Sequence, residues 1–280
     1  MTDQLSPLAR FQNIVLSTDG TDVSAGAVRV ALKLGKQCGS RLTVMHMART
    51  YPGYAMFNPG GVSDEENRAQ EVLKGVEQQA GTECVNCVPV MRYGEEPVRE
   101  IVSQVEESDA DLLIMGRRGV HWLERLVLGE AAARVIGHVS RSVLVVPKEA
   151  DMWSKGIMIA VDGSRHADAA AFSAGFLAKC TGLPVTVVTV CASDDLSCDI
   201  IKPIADRVRD LLIADGITAR SVVLEGRPAD QIVQAARDND CDLIVVGCQG
   251  RTGLDRLLMG SVSQQVVVQA TCPVLVVKES

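Results

Sequence analysis

No run of the chain is apolar for long enough to cross a bilayer. The longest, such as Leu112 to Met115 and Leu243 to Val246, fall far short of the ~18 to 20 residues that a spanning helix needs, so no membrane passage is expected. Residues Met1 to Arg10 lack a basic start followed by an apolar stretch, which argues against a secretory leader and for a cytoplasmic protein. Positive charge is also scarce. The 28 Lys and Arg are outnumbered by 35 Asp and Glu, giving a net charge of −7, and a nucleic-acid surface would need clustered cations instead. Arg117 with Arg118 is the one suggestive basic pair near a loop.

A disulfide framework is not expected either, because nine cysteines are an odd number and reduced thiols fit a chain without an export signal. Cys84 and Cys87 form the one CxxC. The pair falls on an apparent strand, with no second CxxC and no neighbouring His to complete a tetrahedral set. Buried or half-buried thiols are therefore a better reading than a redox or metal pair. His46 and His138 have no ligand spacing to another metal-binding side chain and read as structural. The GxxxxGK[ST] phosphate loop is absent as well.

What the chain does have is a repeat. Gly247, Cys248, Gln249, Gly250, nine residues, then Gly260 and Ser261 lie between the apolar run ending at Val246 and the amphipathic segment Val262 to Ala270. The same punctuation occurs 131 positions earlier as Gly116, Arg117, Arg118, Gly119, nine residues, then Gly129, with Glu130 standing where Ser261 stands. An aspartate followed by glycine, Asp19 or Asp162, precedes each loop. The chain is a tandem duplication, with a first domain over 1–147, a second over 156–280 and a short linker, Pro147 to Lys155, between them. The first copy carries twelve more residues between its aspartate and its glycine loop. The Pro, Gly and aromatic stretch Arg49 to Val62, with Tyr51, Tyr54 and Phe57, accounts for most of the excess.

Hydrophobicity alternates in kind along both copies. In the first, strands are expected at Asn13 to Thr18, Arg41 to Met47, Glu83 to Met91, Leu112 to Met115 and Ser142 to Val146. The helices between them are Asp22 to Gln37, a segment opened by a Ser63–Glu66 capping box and running to about Ala80, one from Pro97 to about Ser108, and Ala131 to Val139. The second copy replays the order. Its strands are Gly156 to Val161, Pro184 to Val190, Thr218 to Leu224, Leu243 to Val246 and Val274 to Val277, and its helices are Arg165 to Thr181, Ile200 to Ala214, one starting at Pro228, and Val262 to Ala270. Strands alternating with helices give an α/β fold of two doubly wound domains, each a five-stranded parallel sheet covered on both faces. Ligands in such folds sit beyond the carboxyl ends of the strands, where the strand order reverses.

The second glycine loop reads as a phosphate cradle, because glycines let a backbone approach a ligand and a helix opening at Ser261 turns free amides and its positive end toward an anion. Asp162 can accept from a ribose hydroxyl, although an aspartate at that place is also an ordinary turn or N-cap residue. In the first copy Glu130 caps its own helix and repels a triphosphate, His121 and Trp122 add bulk where Thr252 and Gly253 stand in the second, and Arg117 and Arg118 pull the other way by attracting anions.

These residues, Ala160, Val161, Asp162, Gly163 and Ser164, then Gly226, Arg227 and Pro228, then Gly247 through Val262, closely resemble the universal stress protein family, over nearly the whole chain. The resemblance implies the adenine nucleotide alpha hydrolase-like fold and an ATP site. Asp162 would meet the ribose and Val190 the adenine through its backbone. Gly247, Gly250, Gly260, Ser261 and the amide of Val262 would hold the phosphates, with Ser263 as a neighbouring hydroxyl. Mg2+ carried in by the triphosphate is the metal to expect. The resemblance further implies association through the closing strands, Ser142 to Val146 and Val274 to Val277, giving an intramolecular pseudo-dimer and leaving a homodimer open. A nucleotide-responsive stress module is the expected function. The alternatives are a slow ATPase or transferase, for which no base is evident, and a scaffold or sensor of another ligand that uses the loop Tyr51 to Phe57.

Overall fold

A computed structural model describes residues 11–49, 59–117, 129–191, 198–250 and 259–279. Arg118, Gly119, His121, Trp122, Thr252, Gly253 and the aromatic loop Tyr51 to Phe57 lie outside them.

In chain order the strands are β1 Asn13–Ser17, β2 Arg41–Arg49, β3 Asn86–Gly94, β4 Leu112–Gly116, β5 Ser142–Val146, β6 Ile157–Ala160, β7 Val185–Cys191, β8 Ala219–Glu225, β9 Leu243–Gly247 and β10 Val274–Val277. The helices are α1 Ala25–Cys38, α2 Pro59–Thr82, α3 Pro97–Glu107, α4 Glu130–His138, α5 Arg165–Thr181, α6 Cys198–Ala214, α7 Pro228–Asp238 and α8 Ser261–Gln269. Local chemistry explains their ends. The Ser164 hydroxyl caps α5 by accepting from the Ala167 amide at 3.2 Å, and Gly182 closes the same helix at φ 73, a left-handed conformation that costs glycine nothing. Prolines open α3 and α7, where the missing N–H would have had no intrahelical partner anyway. The Ser63–Glu66 capping box is corrected. Helix α2 already begins at Pro59, so Ser63 lies inside it, and proline at the first helical position is the better start signal.

Within each half the strands are all parallel, and the two halves merge into one ten-stranded sheet of order β3-β2-β1-β4-β5-β10-β9-β6-β7-β8. Its centre is the one antiparallel pairing, β5 with β10, in which Val145, Leu144 and Val143 oppose Val274, Leu275 and Val276. All six of these side chains are buried. Strand residues alternate between two core layers, as a pleat with helices on both sides requires. Ile14, Leu16, Ile157, Ile159 and Leu275 enter one layer, whereas Val15, Met158, Ile244 and Val276 enter the other. Both layers run unbroken from one half into the other.

Polar contacts repeat and cross the same seam. Asp242 accepts from the amides of Ser154, Lys155 and Gly156, and Asp111, its counterpart in the first copy, accepts from those of Gln12 and Asn13. Each carboxylate fixes the entry to the first strand of its half. The Arg117 guanidinium crosses the seam and donates to Val267 O at 3.0 Å, to Val268 O at 2.8 Å and to Ala270 O. It thereby caps the carboxyl end of α8, where a cation is favoured. Burial lowers its pKa but leaves it charged, since guanidinium ordinarily titrates far above neutrality. The expectation that Arg117 draws an anion is corrected, because its donors serve the other half. Lys278 reaches back to donate to Gly137 O at 3.2 Å, at the carboxyl end of α4.

One continuous core predicts that the halves unfold together in a single urea transition. Arg117→Ala strips carbonyls at a part-buried helix end of a charged donor and is expected to lower stability by about 2 kcal/mol or more. An unchanged urea midpoint would refute that role.

Candidate functional site

The strand order reverses between β6 and β9, with α5 on one face of the sheet and α7 and α8 on the other. Beyond the carboxyl ends of β6, β7 and β9 the chain leaves a cavity of about 470 Å³. Asp162, Val190, Gly247, Gly250, Gly260, Ser261, Val262 and Ser263 all line it. The motif residues therefore converge from four separate segments on one crevice at the position that α/β topology favours.

The cavity lining is chemically mixed. Val188, Val190, Pro228, Ile232, Ala160 and Val246 contribute apolar surface, and Asp162, Gln249, Gly250 and the start of α8 contribute polar groups. Pro228 and Ile232, from the first turns of α7, were not among the expected site residues. The signal for them was the Gly226, Arg227, Pro228 turn that delivers that helix. Gln249 was also missed, although it stands inside the glycine motif. It is buried, with 8% of its surface exposed. Among the described residues no Lys or Arg lines the cavity, and the positive potential those residues offer comes from peptide dipoles. Gly260 is the N-cap of α8, and Ser261 opens it. The amides of Ser261, Val262 and Ser263 have no carbonyl acceptor within the helix, because a first turn never does.

The glycines are needed for space. None of Gly247, Gly250 and Gly260 adopts a positive φ. A Cβ on Gly247 would lie 2.7 Å from the His166 carbonyl carbon at the start of α5, and one on Gly250 would lie 2.8 Å from Asp162 Oδ2. Gly247 thus lets a helix pack on the strand end, and Gly250 lets the loop lie against the carboxylate. Gly116 repeats the first device, since a Cβ there would meet Ser24 Cα at 2.9 Å. The loop then closes through Gly260 N–H donating to Cys248 O, and Cys248 N–H donating to Val277 O, each at 2.8 Å.

Asp162 sits in a turn in which Oδ1 accepts from the Ser164 amide at 2.9 Å, and Gly163 takes φ 80. The Ser263 hydroxyl donates to Gly247 O at 2.7 Å. That bond pins the start of α8 to the end of β9. At Val190 the sheet itself makes a recognition edge. Val161 N–H donates to Val188 O across the β6–β7 edge, and alternate residues of a strand direct both backbone polar groups to the same side. Val190 therefore points its N–H and C=O past Ala160, the last residue of β6.

His46, His138 and the buried cysteines are structural, whereas Cys84, expected as a buried or half-buried thiol on a strand, is exposed in the turn before β3. His46 Nδ1 donates to Thr18 O at 3.0 Å in a buried setting, and burial lowers its pKa. His138 Nδ1 donates to Arg134 O. Burial pushes the Cys87 thiol up to about 11 and the Cys272 thiol up to about 12, which suppresses thiolate chemistry. The expectation of wholly reduced thiols is corrected at one place, where Cys191 and Cys198 form a disulfide with Cα atoms 5.4 Å apart. No local spacing announced it, because one cysteine ends a strand and the other begins a helix. With Glu225 they are also the described residues whose ligand atoms lie close enough to share a metal, but sulfurs bonded to each other are poor metal ligands.

In the first half, α4 opens on Glu130 after Gly129, as α8 opens on Ser261 after Gly260. Against the Asp19–Gly20 turn packs α2, with the Val72 side chain standing where a Cβ on Gly20 would lie.

Comparison with known proteins agrees with this architecture. The family model for "Universal stress protein family" matches residues 10–147 and again 154–278. A universal stress protein of Synechocystis sp. is 25% identical over 292 residues, covering 95% of this chain and 99% of that protein. One of Methanocaldococcus jannaschii is 50% identical over 64 residues, which are 23% of this chain and 38% of that protein. The crystal structure of a universal stress protein from Archaeoglobus fulgidus superposes with a TM-score of 0.79 at 21% identity, covering 96% of this chain and 99% of that one. With nearly its whole length accounted for by two successive matches to one family and a shared two-fold repeat of the fold, the chain belongs to the universal stress protein family.

Proposed function

We propose that the second half binds an adenine nucleotide, ATP, and that the chain acts as a nucleotide-responsive regulatory module in stress rather than as a fast enzyme. The observation that carries this reading is a cavity of about 470 Å³ whose lining joins apolar side chains to the amide-bearing start of α8. A flat heterocycle is apolar on its faces and polar at its rim. Val188, Pro228 and Ile232 offer contact to such a ring, and the unpaired edge at Val190 offers a donor and an acceptor to its rim. Asp162, whose Oδ2 lies beside Gly250, would accept from a ribose hydroxyl. The amides of Gly250, Ser261, Val262 and Ser263, at the positive end of α8, suit the phosphates. Gly247 acts indirectly, by allowing α5 to approach.

The donor set fits Mg2+ as a companion of the triphosphate. Asp162 is the one carboxylate lining the cavity among the described residues, and one carboxylate with phosphate oxygens and water is how Mg2+ is commonly held. A single carboxylate already engaged by the Ser164 amide is also a poor candidate for aligning an attacking water, which favours binding over turnover.

Four outcomes test the proposal. Denaturing the purified chain and identifying what it releases is expected to yield an adenine nucleotide, and calorimetry is expected to give one site per chain, because Glu130 replaces Ser261 in the first half. A stoichiometry of two would remove that asymmetry. Ser261→Glu places a carboxylate where helix dipoles favour it, so thermal stability should hold while ATP affinity falls by about 10- to 100-fold, from one or two lost charge-assisted hydrogen bonds and added repulsion. Equal affinity in wild type and Ser261→Glu would place the nucleotide elsewhere. Asp162→Ala is expected to weaken ATP by about 10-fold and to weaken 2′- and 3′-deoxy analogues less. Equal losses for all three would exclude a ribose contact.

A further inference from the structure

The disulfide between Cys191 and Cys198 joins the end of β7, one residue beyond Val190, to the start of α6, and the nucleotide reading gives it no part. We infer that it is a redox-active pair that exchanges with low-molecular-weight disulfides and thiols.

Four features distinguish it from a fixed staple. The bond spans seven positions, and closing so short a loop restricts the unfolded chain little. Both thiols of the reduced pair also have acceptors in place. Cys191 Sγ lies 3.3 Å from Leu224 O, and Cys198 Sγ lies 3.9 Å from Glu225 Oε1, so the same backbone serves both oxidation states. The two sulfurs are unequal in access, with Cys191 buried at 2% exposure and Cys198 only half-buried. Finally, Cys198 is the first residue of the 17-residue helix α6, whose positive end favours a thiolate there. Glu225 opposes that charge and is the base beside it. An accessible attacking sulfur backed by a buried resolving one is the arrangement that exchange requires. Burial raises the pKa of Cys38, Cys87, Cys180, Cys241 and Cys272, and each of these is a free thiol.

The chemistry balances with glutathione disulfide as the oxidant. The Cys198 thiolate attacks one of its sulfurs, that S–S bond breaks, and one glutathione thiolate leaves with the proton that Cys198 gave up. Cys191 then attacks Cys198 Sγ, expels the second glutathione, and passes it the Cys191 proton. Two electrons move from the pair to two molecules of glutathione, and the reverse sequence reopens the bond.

The test uses the full chain without nucleotide, equilibrated in glutathione buffers from strongly reducing to strongly oxidising, acid-quenched, alkylated and mapped by peptide mass. The expected result is a reversible interconversion of Cys191 and Cys198 that follows the square of the thiol concentration over the disulfide concentration, while the other seven cysteines stay alkylated throughout. Cys191→Ser should stall with one glutathione on Cys198, and Cys198→Ser should take up none at Cys191. A bond that persists at every ratio and opens only when the native circular dichroism is lost would overturn the inference. So would a pair that never closes, or a glutathione found on Cys191 in the wild type. The wild-type series decides the matter even if a serine variant fails to fold. Because nucleotide is absent, its outcome is independent of whether the cavity binds ATP.

Discussion

The antiparallel ladder between β5 and β10 is the contact on which the rest of the molecule depends. Without it each half would expose a short strand of valine and leucine at a sheet edge, with unpaired backbone groups beside it. With it, Val143, Leu144, Val145, Val274, Leu275 and Val276 become the centre of the protein. Both core layers then continue across the seam, and the positions of α4 and α8 follow, because each rests on strands adjoining that ladder. The crevice between β6 and β9 inherits its shape from the same arrangement, since β9 is held on its other side by β10.

Much of this was legible in the residues, and the successes have a common physical origin. Helix Arg165–Thr181 and strand Val274–Val277 coincide with the expected bounds, because a hydroxyl cap and a left-handed glycine mark the first and a wholly buried apolar run marks the second. Asp162, Val190, Gly247 and Gly250 converge because each lies at or just past the end of a parallel strand, and Gly260 to Ser263 return to the same edge at the start of α8. Where the reading fell short, the information was tertiary. Ser63 with Glu66 has the form of a helix start, but the helix had already begun at Pro59. Cys191 and Cys198 meet only once β7 and α6 are in place. Pro228 and Ile232 join the cavity through the packing of α7, and sequence spacing does not state which face of that helix looks inward. At Gly247 and Gly250 the absence of a side chain answers to the nearness of His166 and Asp162 rather than to the freedom of their own dihedral angles.

The two copies show which parts of the repeat serve folding and which serve the site. Asp111 and Asp242 both bind amides at the entry to a half, and Gly116 and Gly247 both admit a helix against a strand end. These belong to the architecture and occur in both halves. The glycine loop differs. In the second half it closes over a cavity through Gly260 and Cys248, whereas in the first its second residue is Arg117, which reaches across to the carboxyl end of α8. That helix is thus steadied at one end by a cation from the first copy and offers its other end to the cavity of the second. Helix dipoles make these two interactions favourable in the same sense, so a residue of the altered loop supports the geometry of the intact one.

Joining the halves through one polypeptide also changes the rules under which they meet. Two separate chains associate according to their concentration and exchange partners, so any alteration is shared by every subunit of a symmetric pair. Here the partners are present one to one even at infinite dilution, and the strands through which a foreign half would enter are already occupied by each other. A change in one copy, such as Arg117 reaching across the seam, is consequently not repeated in the other, and a symmetric plan comes to carry asymmetric contacts.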